Sequence, residues 1–84
     1  MLNTLRGMIV VISFISKERR GDMTGKVLDV DGTMIRLQIG KMDYLGKHTK
    51  QEWADSFEPD PGGTVLWVNT QAVETISEIG KPRR

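Results

Sequence analysis

Residues 24–39, TGKVLDVDGTMIRLQI, constrain the fold more tightly than any other part of the chain. After Asp31-Gly32 the alternation is clean. Thr33, Ile35, Leu37 and Ile39 point one way, and Met34, Arg36 and Gln38 the other. Period two is the signature of a strand with one face toward a core and the other toward water or a partner. Asp-Gly between two such runs predicts a tight type I′ hairpin, because both central residues of that turn take positive φ. We therefore expect antiparallel strands over 25–30 and 33–39, with Gly25 marking a bulge or sharp bend.

The rest of the chain must complete a fold around this hairpin within 84 residues, enough for one small domain spanning 1–84. A core of that size is marginal alone, so self-association is a natural supplement. The absence of cysteine excludes a disulfide staple and a thiolate site. The single histidine, His48, excludes a histidine-rich metal site within one subunit. Twelve basic against eleven acidic residues give a net charge of +1, so affinity for a polyanion must come from local patches.

MIVVISFI, residues 8–15, superficially suggests a secretory leader. It is far short of the roughly 20 residues of a membrane span, and Lys17-Glu18-Arg19-Arg20 follows in place of a small-residue cleavage site. It reads as a first strand over 8–16, buried on both faces for part of its length, in a soluble cytoplasmic protein with no membrane association. Residues 1–6 allow one or two helical turns before Gly7. The connector KERRGDMT, 17–24, is polar; Glu18 and Asp22 dilute the charge of Lys17, Arg19 and Arg20.

Residues 40–63 form a long excursion, and structureless loops of that length are uncommon in compact domains. Thr49-Lys50-Gln51-Glu52 fits a capping box, with Thr49 as N-cap and Glu52 reaching back. A short helix over 50–57 follows, with Trp53 and Phe57 on one face and Pro59 and Pro61 beyond it. The two aromatics read as anchors of the insertion, since Glu52, Asp55, Glu58 and Asp60 surround them and repel phosphate. His48 reads as a solvated loop residue. TVLWV, 64–68, is a fourth strand after the Gly62-Gly63 turn, and Asn69-Thr70-Gln71 is a tight turn. In 72–79, Val73, Ile76 and Ile79 allow helical spacing, while Val73, Thr75, Ser77 and Ile79 allow strand spacing. The short preceding turn favours a fifth strand. Residues 80–84 read as a frayed basic tail.

Five short strands, a tight second hairpin and a long third connection predict an all-β, strongly bent five-stranded barrel. The residues resemble the Sm and Sm-like (LSm) family over 8–79. GKVLDVDGTMIRL, 25–37, is similar to the family's first motif, with Asp31 as the motif aspartate and Met34 as its methionine. Thr33 replaces the aromatic, and the asparagine after the methionine is missing. VNTQAVETI, 68–76, matches the spacing of the second motif, with Asn69 replacing the basic residue and Thr70 the glycine. The resemblance implies an SH3-like barrel whose fourth strand pairs with the fifth strand of a neighbouring copy, closing a ring of roughly five to seven subunits. It also implies that single-stranded RNA (or DNA) binds on two loops, Asp31, Gly32, Thr33 and Met34 in one, Asn69, Thr70 and Gln71 in the other. Lys17, Arg19, Arg20, Arg83 and Arg84 are supplementary phosphate contacts if they share a rim.

Strand edges left open at 64–68 and 72–79 invite another chain, which assigns Val65, Leu66, Trp67, Val68, Val73, Thr75 and Ile76 to a subunit interface. The competing reading is a structural or protein-interaction barrel that oligomerises by strand-edge pairing without binding nucleic acid. Catalysis is the least supported class: no nucleophile–base set, phosphate loop, metal cluster or cofactor motif is present. Asp29 and Asp31 on one strand face are explained by a turn and a solvated carboxylate.

Overall fold

The computed structural model describes residues 2–14 and 22–83. Among them the chain is all-β, with one short helix. Its elements run from a 3-10 turn (Leu2–Leu5) through β1 (Ile9–Phe14), β2 (Asp22–Asp31), β3 (Met34–Lys41), α1 (Lys50–Asp55), β4 (Glu58–Pro59) and β5 (Val65–Asn69). A 3-10 turn (Thr70–Ala72) then leads into β6 (Val73–Gly80). The ambiguous 72–79 segment is thus a strand. The sixth strand is β4, a two-residue pairing of Glu58 and Pro59 with Lys41 and Gly40 inside the insertion.

All pairings are antiparallel. β6 pairs with β1, β1 with β2, β2 with β3, and β3 with β5 along 34–38. β6 is one end of this path; toward the other, β3 carries β5 along 34–38 and the short β4 at 40–41, and β5 and β6 each pair with no further strand among the described residues.

The hairpin differs in detail from its sequence-based form. Asp31 pairs with Met34, so Gly32 and Thr33 are the two turn residues. Gly32 has φ +60°, and no non-glycine residue among those described has positive φ. Positive φ at the first central residue alone is the type II′ pattern, which asks for glycine only there. The bulge falls at Leu28, where the ladder steps from Val27–Leu37 to Asp29–Arg36, and not at Gly25. Gly25 has another reason to be glycine: a Cβ there would lie 2.5 Å from Leu37 Cγ. The sheet closes on Leu37 by bringing bare backbone against it.

The alternation holds. Ile35 and Leu37 are fully buried, Ile39 packs against the same core, and Arg36 is exposed. Leu5, Val10, Ile12, Val27 and Val68 complete this main core. Ile9 and Val10 are consecutive and both fully buried, as expected for a strand covered on both sides. Val10 faces the main core. Ile9 faces a second cluster of Met42, Ala54 and Phe57, which the insertion lays over the outer side of β1.

The insertion is fastened by its own caps. Thr49 is the N-cap and its Oγ1 accepts the Glu52 N–H at 3.1 Å. The Glu52 carboxylate accepts from the Thr49 hydroxyl and from the His48 N–H, one residue before the amide a capping box usually serves. The helix stops at Asp55, ahead of Phe57, where Ser56 forms the C-cap and its hydroxyl donates back to the Trp53 carbonyl at 2.6 Å. Trp53 and Phe57 anchor the insertion, as read from the sequence. Phe57 is buried, and Trp53 packs on the same cluster and meets the Tyr44 ring edge-on at 5.3 Å.

The segment after β6 is held rather than frayed. The Lys81 carbonyl accepts from Gln51 Nε2 at 2.7 Å. Asp55 accepts from the Arg83 backbone N–H and from two nitrogens of its guanidinium.

Three carboxylates of this region sit below their ordinary values of 3.8 for aspartate and 4.5 for glutamate. Asp43 is lowered by the Leu45 N–H and then by Lys47. Glu52 is lowered by the His48 N–H and then by the Thr49 hydroxyl. Asp55 is lowered by the Arg83 N–H, then by Gln51 and the Arg83 guanidinium. A carboxylate with a depressed folded pKa stabilises fully above its unfolded value, and the effect is lost as pH falls through the folded one. All three act on the insertion and the segment after β6, so acid is expected to loosen these before the sheet. With Trp67→Phe leaving Trp53 as the sole indole, Trp53 emission should shift below about pH 4 while the far-ultraviolet β signal persists. Coincident loss of both signals would refute a separate acid release.

Candidate nucleic-acid interface

The two loops singled out in the sequence meet. The Thr33 carbonyl accepts the Thr70 N–H at 2.8 Å and the Thr70 hydroxyl at 2.7 Å. Met34 and Asn69 are cross-strand partners at the β3–β5 end. Asn69 closes the second loop locally: its side-chain oxygen accepts the Gln71 N–H at 3.0 Å, capping the 3-10 turn. Asp31, Gly32, Thr33, Asn69 and Gln71 are exposed, and Met34 and Thr70 are half-buried. The result is a polar ridge with one carboxylate, two amides and a thioether at its base, built on two hydrogen-bonded turns instead of free loops.

The supplementary cations are placed differently. Lys17, Arg19, Arg20 and Arg84 lie outside the described residues. Arg83 lies beyond the far end of β6 from the 3-10 turn, a strand length of about 26 Å, and its fork is occupied by Asp55. Among the described residues, the cationic side chain nearest the ridge in register is Arg36, one outward position along β3 from Met34. Arg36 is not among the loop and tail residues that the resemblance singles out. Alternation placed it on the outer face, but only the β3–β5 register puts it opposite Trp67.

The carboxylates near the ridge are not a catalytic pair. Asp29 accepts from Arg6 at 2.7 Å and from the Val30 N–H at 2.9 Å. Both members of this ion pair are about half exposed, so it contributes on the order of 0–1 kcal/mol. No cluster of His, Asp or Glu suited to a metal ion occurs among the described residues. At the far end of β3, Lys41, Met42, Asp43, Lys47, Ser56 and Glu58 line an open cleft of about 520 Å³. Its charges are of both signs, and Lys47 is spent on Asp43 and the Leu45 carbonyl.

The residues assigned to a subunit interface lie on β5 and β6, each of which pairs with a single strand among the described residues. Leu66 and Trp67 on β5 are exposed, Val65 is half-buried and Val68 belongs to the core. On β6, Thr75 is exposed, and Val73 and Ile76 pack partly against the core. No described helix is long and apolar enough to cross a membrane. No family model matches the chain, and neither a curated protein nor a solved structure matches it significantly.

Proposed function

We propose that this chain is an Sm-like barrel that assembles head to tail into a ring of roughly five to seven copies and binds single-stranded RNA on the paired-loop ridge. The observation that carries the reading is the double hydrogen bond from Thr70 to the Thr33 carbonyl, which joins segments 37 residues apart. It brings together the two loops that the resemblance assigns to RNA. The sheet topology supports the assembly, because β5 pairs only with β3 and β6 only with β1 among the described residues, leaving one edge of each of the two strands expected to pair between copies. Splayed bases offer donors and acceptors to Asp31, Asn69 and Gln71, and Met34 offers a polarisable apolar surface.

Asn69→Asp tests the site without dismantling it. Aspartate keeps the oxygen that accepts the Gln71 N–H, so the melting temperature should hold, while the new charge opposes phosphate. Combined with Thr33→Ala, which leaves the Thr33 carbonyl in place, it should weaken binding of a single-stranded RNA oligonucleotide about tenfold at low salt. Unchanged affinity would remove the ridge from the binding site. Absence of any RNA or DNA binding at low salt would favour the protein-interaction reading.

A further inference from the structure

We infer that the outer face of β2, β3 and β5 is a second contact surface for single-stranded nucleic acid, with a base stacked on Trp67 and a phosphate held by Arg36. The inference rests on the nucleic-acid reading above and extends it from the loops onto the sheet.

Three cross-strand rows define the face. Asp31, Met34 and Asn69 form the ridge row; Asp29, Arg36 and Trp67 form the next; Lys26, Gln38 and Val65 form the third. Successive outward positions along a strand are about 6.6 Å apart, so the Arg36–Trp67 row adjoins the ridge without a gap. The insertion covers the outer side of β1 through Ile9, Met42, Ala54 and Phe57, and leaves this corner open. Trp67 is 49% exposed, and its indole takes part in no ring contact among the described residues. A tryptophan left half in water at a sheet surface forgoes much of its burial energy, and a flat π face is what an unpaired base stacks on.

The charge arrangement supports the same occupant. Asp29 stands across the ladder from Arg36, yet its carboxylate is taken by Arg6. Arg36 is therefore exposed and has no carboxylate partner among the described residues. Lys26 adds a second cation in the third row. Asp31 in the ridge row works against a polyanion, which places the phosphate contact at Arg36 and leaves base contacts for the ridge. Strand side chains stand roughly perpendicular to the sheet, so pairing of the β5 backbone with another copy leaves the Trp67 side chain directed off the face.

The test uses the full chain and a labelled mixed-sequence single-stranded RNA of about 16 nucleotides, a length that covers both loops and face. Trp67→Ala is expected to weaken binding by roughly tenfold or more, and Trp67→Phe to restore most of it. Arg36→Ala should weaken binding across sequences and reduce the salt slope by about one. In a Trp53→Phe background, bound RNA should quench Trp67 emission, a readout that needs no change in assembly. Binding that is lost in Thr33→Ala/Asn69→Asp but unaffected by Trp67→Ala and Arg36→Ala would overturn this inference and leave the ridge intact. Absence of binding by the unmodified chain would overturn both. A fall in molar mass for Trp67→Ala, with no Trp67 quenching in the Trp53→Phe background, would assign the face to a second copy of the chain and overturn the inference.

Discussion

Replacing Phe57 with alanine is expected to lower stability by about 3–5 kcal/mol and to release the inserted helix from the sheet. Phe57 is only 5% exposed, and with Ile9, Met42 and Ala54 it forms the second core cluster. The slot for its ring is made by Gly40, where a Cβ would lie 2.5 Å from Phe57 Cζ and 2.3 Å from the Glu58 carbonyl oxygen. Backbone this close cannot collapse far into the space the ring vacates, so the cavity term persists. A domain of this size holds on the order of 4–13 kcal/mol in total. The loss is therefore a large share, worth on the order of 20 °C in melting temperature. Phe57→Leu should cost less than half as much, because it refills part of the slot. Thermal melts followed by circular dichroism measure both. A loss below about 1 kcal/mol for Phe57→Ala would show that the insertion is not anchored through this ring.

The same cluster marks where the sequence was informative. MIVVIS carried burial on both faces as an unbroken apolar run, and Ile9 and Val10 bear it out. The capping residues gave the helix start, because Thr49 and Glu52 act locally on amides within four positions. The helix ends at Asp55, earlier than Pro59 and Pro61 predict, because the Ser56 hydroxyl turns back to the Trp53 carbonyl. Features that depend on distant partners were not legible. The bulge at Leu28 answers to the match between β2 and β3, and Leu28 itself carries no turn chemistry. The anchoring of Arg83 needs Asp55, 28 positions away. The turn is type II′, where Asp31-Gly32 predicts type I′, because its central residues are Gly32 and Thr33, one position later, so only Gly32 takes positive φ. That shift follows from the β2–β3 register, which Asp-Gly does not encode.

The candidate site divides along the same line. Each loop was readable as a turn from its own residues, but their meeting came only through the resemblance, since no local rule pairs Thr33 with Thr70. Arg36 and Trp67 were each visible as outward strand residues. Their adjacency is a register between strands far apart in sequence, which packing sets and composition does not.

For the ring proposed above, Val65→Pro is expected to give a monomer, a fall in molar mass of roughly five- to sevenfold, while leaving the subunit folded. The ladder says why this position separates the two effects. Thr64 accepts the Ile39 N–H at 2.9 Å, and Thr70 donates to Thr33 at the other end of β5. With Leu66 opposite Leu37 and Val68 opposite Ile35, antiparallel alternation makes 64, 66, 68 and 70 the residues that bond to β3. The N–H groups of Val65, Trp67 and Asn69 then point to the open edge. Proline at 65 removes an outward donor and no ladder bond, the one setting in which a strand tolerates it. Leu66→Pro removes a bond to β3 and should unfold the subunit, which gives the contrast. Light scattering behind a sizing column reads the mass, and far-ultraviolet circular dichroism reads the fold. An unchanged mass in a folded Val65→Pro variant would rule out pairing through the β5 edge. A monomeric unmodified chain would rule out the ring, and the ridge would then act from single subunits without the multiplied contacts that a ring gives to one strand of RNA.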